Sequence, residues 1–244
     1  MAGVCASGGA ERSLRAAPGA TGRPAAGRRQ VGGCRYPGTV TFYGDRVLPH
    51  LVDLMCGAAG LRRWREQVTT GLTGDLLEIG FGSGLNIAFY PPEIERVLAV
   101  EPSATAFRIA GKRIAASRIP IEQVGLDGQS VPLPDDSAES ALCTFALCTI
   151  PDPDAALGEI RRVLRPGGRF HFIEHGLSPD AGVARWQSRI EPLQRRLAGG
   201  CHLTREPVSM VERAGFVVDE VVQQYGAGPK PWSYFTRAAA LNAS

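Results

Sequence analysis

The chain has 244 residues, of which 44% are apolar, 21% charged and 7% aromatic. This suits one α/β domain with extensions and excludes disorder of the main body, and the absence of any run of about 18 apolar residues excludes a membrane-spanning helix. The net charge of +3 divides unevenly: residues 1–35 carry six arginines against Glu11, or +5, while the remainder holds 21 basic and 23 acidic residues, or −2. No basic face for nucleic acid is therefore expected on the folded part.

Residues 1–40, rich in Arg, Gly and Ala, read as a disordered tail, and 41–244 as the folded domain. An Arg28-Arg29 pair lacks the apolar segment that an export signal needs after it. From Val47 to Thr69, Leu48, Leu51, Val52, Leu54, Met55, Leu61 and Trp64 recur at helical spacing. Gly57 and Gly60 break the run, which predicts two short helices forming an N-terminal cover. Asp75–Gly80 and Arg96–Val100 read as buried strands, and Ser103–Arg118 as a helix capped by Ser103.

Two further strands are expected at Ile121–Leu126 and Ser140–Leu147. The helix Asp152–Arg165 has Asp152 as its cap, Pro153 at its first position and Gly167 beyond its end. Arg169–Glu174 reads as a strand, Trp186–Leu197 and Arg205–Ala214 as helices, and Phe216–Val222 and Trp232–Thr236 as late strands. Strand and helix alternate. The expected fold is a doubly wound, mostly parallel, seven-stranded Rossmann-like α/β sheet with an antiparallel C-terminal hairpin.

In such a sheet ligands bind beyond the carboxyl ends of the strands. The densest signal there is the loop Glu78-Ile79-Gly80-Phe81-Gly82-Ser83-Gly84, whose glycines let backbone N–H groups approach a ligand. A helix is expected after it, offering its positive end. The glycines fall at alternate positions and so depart from the G-x-G-x-x-G spacing of a dinucleotide loop. Glu78 would repel a pyrophosphate but attract an ammonium group. Glu101, ending the second strand, can accept from both hydroxyls of a ribose. Asp127 and the Gly128 N–H, after the third strand, can meet the amine and a ring nitrogen of adenine, although Asp-Gly is also an ordinary turn pair. Three strand ends thus offer ammonium, ribose and adenine contacts, which suits S-adenosylmethionine. A nucleotide-dependent oxidoreductase and a non-catalytic cofactor-binding module are the alternatives.

The stretches LLEIGFGSGLN (76–86), VLAVEPS (97–103), VGLDGQSVPLPDDSAES (124–140) and ALGEIRRVLRPGGRFHFIEH (156–175) resemble the class I S-adenosylmethionine-dependent methyltransferases, in particular the methyltransferase type 11 group. EHGLSP (174–179), RWQSRIEPLQRRLAGGCHLTRE (185–206) and AGF (214–216) resemble its methyltransferase-like protein 7 subgroup, which the family links to methylation of small alkyl thiols. The resemblance implies that Glu78, Gly80, Phe81, Gly82, Ser83 and Gly84 form the methionine loop. It implies further that Glu101 with Pro102 marks the ribose acid, that Asp127 and Gly128 contact adenine, and that Cys143, Thr144 and Phe145 border the transfer site. The family's usual Gly-Asp-Ala reads Leu126-Asp127-Gly128 here. Animal members begin with a hydrophobic anchor that this chain lacks, which implies a soluble, cytoplasmic protein acting on a small-molecule acceptor.

A thiol acceptor needs deprotonation, and His175, just past the fifth strand, is the candidate base. His171 reads as structural, and Arg161, Arg162 and Arg165 as a solvated helix face. Trp186, Gln187, Cys201 and His202 lie in the insert where acceptor specificity is usually built, with helix packing the other reading of Trp186. The six cysteines (5, 34, 56, 143, 148 and 201) show no metal-ligand spacing, so reduced thiols and no metal are expected.

Overall fold

A computed structural model describes residues 42–243; the tail expected at 1–40 lies outside them. Within these residues, seven strands form one sheet in the order β3-β2-β1-β4-β5-β7-β6. They are β1 (Gly74–Ile79), β2 (Ile94–Val100), β3 (Ile121–Gly125), β4 (Ala138–Thr144), β5 (Leu164–His175), β6 (Val217–Tyr225) and β7 (Tyr234–Leu241). β1 to β5 run parallel, and β7 lies antiparallel between β5 and β6. The chain reverses its direction of travel across the sheet between β1 and β4. Adjoining connections leave on opposite faces there and open a crevice at the strand ends.

The buried apolar runs of β1 and β4 explain their central places, since a parallel strand is covered on both faces. Leu76, Leu77, Ile79, Ala141, Leu142 and Cys143 are all at most 1% exposed. On the flanks, α3 (Ala104–Ala116) is capped by Ser103, whose Oγ accepts from the Ala106 N–H at 3.1 Å. Helix α4 (Pro153–Val163) is capped by Asp152 in the same way at 3.0 Å. The carbonyls that end α4 are met by Asn242 Nδ2, at 2.9 Å to Leu164 and 3.1 Å to Arg161. Helices α5 (Ala181–Leu197), α6 (Pro207–Arg213) and α7 (Lys230–Ser233) complete the chain. No helix among the described residues is long and apolar enough to cross a membrane.

Several elements depart from expectation. The last strand begins at Tyr234 and runs to Leu241, although its Arg-Ala-Ala-Ala-Leu stretch has the propensity of a helix. Pairing on both sides overrides propensity, and alanines fit a central strand under close cover. No α-helix follows the glycine loop. Only a three-residue turn, Ile87–Phe89, precedes Pro91-Pro92, and two prolines leave no room for a longer helix before β2. The N-terminal cover consists of α1 (Leu48–Cys56) and α2 (Arg62–Thr69), but the two differ. Helix α2 buries Trp64 and Val68, whereas α1 buries none of its residues and leaves Leu54 and Met55 on the surface.

The expected solvated arginine face is a set of ties. Arg162 binds Glu159 at 2.8 Å, Asp135 at 2.7 Å and the carbonyls of Val131 and Leu133. Arg165 pairs with Glu139, and Arg161 is also engaged.

Candidate active site

The glycine loop leaves β1 with three left-handed residues, Gly80 at φ +73°, Gly82 at +58° and Gly84 at +74°. They do two different jobs. A Cβ on Gly80 would stand 2.3 Å from the Ala146 Cβ, and one on Gly84 would stand 2.8 Å from Ile87 Cδ1. These two glycines therefore let the loop pack on its own protein. At Gly82 nothing lies closer than the Gly80 carbonyl at 3.8 Å, so this backbone faces open space where a ligand can approach.

Glu101, at the end of β2, joins that loop. Its Oε2 accepts from the Gly82 N–H and its Oε1 from the Ser103 N–H, both at 2.7 Å. Burial pushes its carboxyl above the usual range, while the two backbone donors pull the other way. Asp127 and Gly128 follow β3 at the same end of the sheet. Asp127 Oδ1 accepts from the backbone and side-chain nitrogens of Gln129 at 2.9 Å, and Gly128 packs on Ile79.

The structure assigns Glu78 a different part from the expected ammonium contact. It is 1% exposed and lies beneath the loop, where its oxygens accept from Asn86 Nδ2 at 2.7 Å and from the Tyr90 hydroxyl. Arg65 on α2 extends this buried network, bonding Asn86 Oδ1 at 2.5 Å and Thr144 Oγ1 at 3.3 Å. Burial raises the Glu78 carboxyl to about 7 against the pull of these partners. Phe81 packs on Phe107 with ring centroids 5.7 Å apart, so only its backbone belongs to the cradle. Ser83 Oγ donates to Asp53 of α1 at 2.6 Å, and Asp53 also binds Arg113 at 2.9 Å. The exposed helix α1 is thus tied to the loop by polar contacts. Pro102 is exposed beside Glu101.

At the end of β4 the chain turns sharply: Phe145 sits at φ +57°. Glu174, fully buried on β5, holds this turn by accepting from the N–H groups of Ala146 at 2.8 Å, Leu147 at 2.7 Å and Cys148 at 3.3 Å. Cys143 is fully buried and points its thiol at Glu174 over 3.7 Å, so its side chain is withheld from the crevice. Thr144 joins the Arg65–Asn86 network, and the Phe145 ring lies 6.5 Å from that of His175.

His175, half-buried, places Nε2 3.0 Å from Cys201 Sγ, while its Nδ1 is buried without a partner. Burial opposes its protonation, but the Cys201 thiol and the Glu174 carboxylate outweigh that and lift it above the ordinary imidazole value. His171 is structural as expected, its Nδ1 2.7 Å from the Val68 carbonyl. The insert residues divide. Gln187 is buried and ties Gly176, Ser178 and Pro231 together, while Trp186 is 58% exposed. His202 binds Glu191 at 3.1 Å, and Cys201 alone of the four reaches His175.

Sequence reasoning did not single out Arg65, Asn86, Tyr90 or Glu174. Arg65 meets Thr144 and Glu174 meets Ala146 to Cys148 from far away in the chain, whereas Asn86 and Tyr90 reach Glu78 from only 8 and 12 positions away. For Asn86 and Glu174 the available signal was a polar residue inside an otherwise apolar stretch.

Comparison with known proteins bears on the fold and the family. Residues 77–172 match the family model described as a methyltransferase domain. The chain is 37% identical over 169 residues to the human thiol S-methyltransferase TMT1B, covering 67% of this chain and 68% of that protein. It is 36% identical over 161 residues to the rat protein of the same name, covering 64% of this chain and 65% of that protein. The chain thus spans about two thirds of the length of the relatives it matches. A solved S-adenosylmethionine-dependent methyltransferase from Aquifex aeolicus shares the fold, with a TM-score of 0.55 at 17% identity, covering 79% of this chain and 97% of that one.

Proposed function

Since the chain belongs to the class I S-adenosylmethionine-dependent methyltransferases, we propose that it transfers a methyl group from S-adenosylmethionine to the sulfur of a small-molecule thiol. The observation that carries this reading is the bond from the Gly82 N–H to Glu101 at 2.7 Å, which fuses glycine loop and strand-end acid into one cradle. The relatives named as thiol S-methyltransferases support the acceptor class.

The residues present fit the cofactor. Open space at Gly82 admits a ligand against the backbone, and a Cβ there would intrude into it. In this reading Glu101 takes ribose hydroxyls, Asp127 and Gly128 meet adenine, and the 80–84 backbone with Thr144 and Phe145 borders the methionine end. When bound, S-adenosylmethionine supplies an electrophilic methyl group on a sulfonium. The protein's task is to hold the acceptor sulfur about 3–3.5 Å from that carbon and in line, which can contribute roughly 7–11 kcal/mol. Glu78 serves indirectly, by fixing Asn86 and Tyr90 under the loop. His175 takes the thiol proton. A cytoplasmic location and an acceptor other than nucleic acid go with this reading.

Calorimetric titration tests it. Saturable binding of S-adenosylmethionine and of its demethylated product is expected, with none for nicotinamide dinucleotides; the reverse preference overturns the proposal. With cofactor saturating, His175→Ala is expected to lower the rate with an alkyl thiol about 100-fold, within the usual range for a proton-transfer group. An undiminished rate removes His175 from the chemistry.

A further inference from the structure

The acceptor end holds more chemistry than one imidazole. Cys148, His175 and Cys201 come from three separate places: the turn after β4, the end of β5, and the loop between α5 and α6. One ligating atom from each lies within 4.8 Å of the other two, and Cys201 Sγ is 3.0 Å from His175 Nε2. Zinc bonds of about 2.3 Å to sulfur and 2.0–2.1 Å to nitrogen set tetrahedral ligand atoms roughly 3.5–3.8 Å apart. One ion fits this envelope with small side-chain movements. Two thiols and an imidazole are donors that favour zinc over magnesium or calcium.

The backbones that carry the trio are fastened to one another. The His202 N–H donates to the Cys148 carbonyl at 2.8 Å, and the Cys148 N–H donates to Glu174, the neighbour of His175. Arg205 grips the carbonyls of Leu147 and Ile150, and Glu191 accepts from the N–H groups of Leu203 and Thr204 at 2.9 Å. Gly199 and Gly200, at φ +62° and +92°, reverse the chain after α5 and deliver Cys201 to the cluster. Such support for ligand-bearing loops is what a metal site needs to hold its geometry. Three protein ligands are also the pattern of zinc sites that keep a fourth position for a reactant, whereas structural sites close with four.

We propose that Cys148 Sγ, His175 Nε2 and Cys201 Sγ bind a zinc ion whose fourth position takes the sulfur of the acceptor thiol. The proposal rests on the thiol methyltransferase reading and deepens it. On binding, the thiol loses its proton to water, because a coordinated thiol is deprotonated. The sulfur then forms the new bond to the methyl carbon, the bond from that carbon to the sulfonium breaks, and its electron pair stays on the cofactor's sulfur. The product is a neutral thioether, a weaker ligand that leaves the metal. Zinc undergoes no redox change, and with it in place His175 is a ligand and no longer a base.

Metal analysis of the full chain, purified without a histidine tag, tests this. Equimolar zinc is expected, falling to background in Cys148→Ser, His175→Ala and Cys201→Ser variants that retain their circular dichroism and bind S-adenosylhomocysteine. Cobalt exchanged for zinc is expected to show the visible bands of a tetrahedral thiolate site, shifting when a short alkyl thiol is added and not when its methyl thioether is added. No zinc or cobalt in the wild-type chain, or a cobalt spectrum unchanged in Cys201→Ser, overturns the site. Bands that ignore the thiol overturn the fourth-position assignment. Full thiol methylation by chelator-treated protein overturns the zinc proposal and leaves the methyltransferase reading standing. Failure of the zinc-loaded chain to bind S-adenosylhomocysteine overturns the methyltransferase reading itself.

Discussion

The cradle at Gly82 and Glu101 and the cluster at Cys148, His175 and Cys201 occupy the same end of the sheet but are built by different means. The cradle exposes mainly backbone, and it is closed by a 2.7 Å bond between neighbouring strand ends. The cluster gathers side chains from three distant segments, held by Glu174, Arg205 and Glu191. A backbone cradle is defeated by adding atoms. A side-chain cluster is defeated by removing them.

That contrast can be broken most severely at Gly82. Gly82→Val is expected to abolish cofactor binding while the chain remains folded, because the Cβ would enter open space and not the core. The left-handed φ adds a stability cost of roughly 1–2 kcal/mol, readable as a lower Tm. Retained affinity in this variant would remove the backbone from the contact surface. Glu101→Ala comes next. Loss of charge-assisted hydrogen bonds should weaken binding by about 1.5–3 kcal/mol, seen as a rise in Kd by calorimetry; an unchanged Kd contradicts the ribose assignment.

The Glu78 network sharpens the comparison through pH. Its carboxyl rises to about 7 on folding because of burial, so between the unfolded value near 4.5 and 7 the folded chain binds the extra proton. Stability carried by that proton is complete below about pH 4.5 and is lost as pH rises through 7. Glu78→Gln is expected to flatten the fall in Tm over this window and to match or exceed the wild type at pH 8. A Tm profile parallel to the wild type would place the titration elsewhere. The smallest effect is expected for Asp53→Ala, whose partly exposed pair with Arg113 is worth less than about 1 kcal/mol. Thermal melts at low and high salt should then differ less than in the wild type.

Much of the cradle was legible in the sequence because its signals are local. Alternate glycines directly after an apolar strand, an acid at the end of the next strand, and Ser103 and Asp152 as caps all act within a few residues of where they are read. The antiparallel C-terminal pair was legible too, although the alanines of β7 concealed its true span until pairing with β5 and β6 is seen. The helix expected after the glycine loop failed because Pro91-Pro92 leaves it no length. Helix α1 kept its expected position but not its burial, since Asp53 holds it in place of its apolar residues.

The acceptor end was less legible for a physical reason. Cys148, His175 and Cys201 sit at intervals that match no metal-ligand motif, and only the sheet order and the turn at Gly199-Gly200 make them neighbours. Likewise Arg65 meets Thr144 across 79 positions, and Glu174 holds backbone N–H groups 26 to 28 residues away. Long-range polar satisfaction leaves little trace in local pattern.

Methyl transfer itself can be followed directly with S-adenosylmethionine carrying a deuterated methyl group, incubated with the wild-type chain and separate thiol, quinone and lipid acceptors, and read by mass spectrometry. The account predicts labelled thioether from the thiol alone, formed in step with S-adenosylhomocysteine. Label on carbon or oxygen of another acceptor, or a bound cofactor that is never consumed with any thiol, would contradict it.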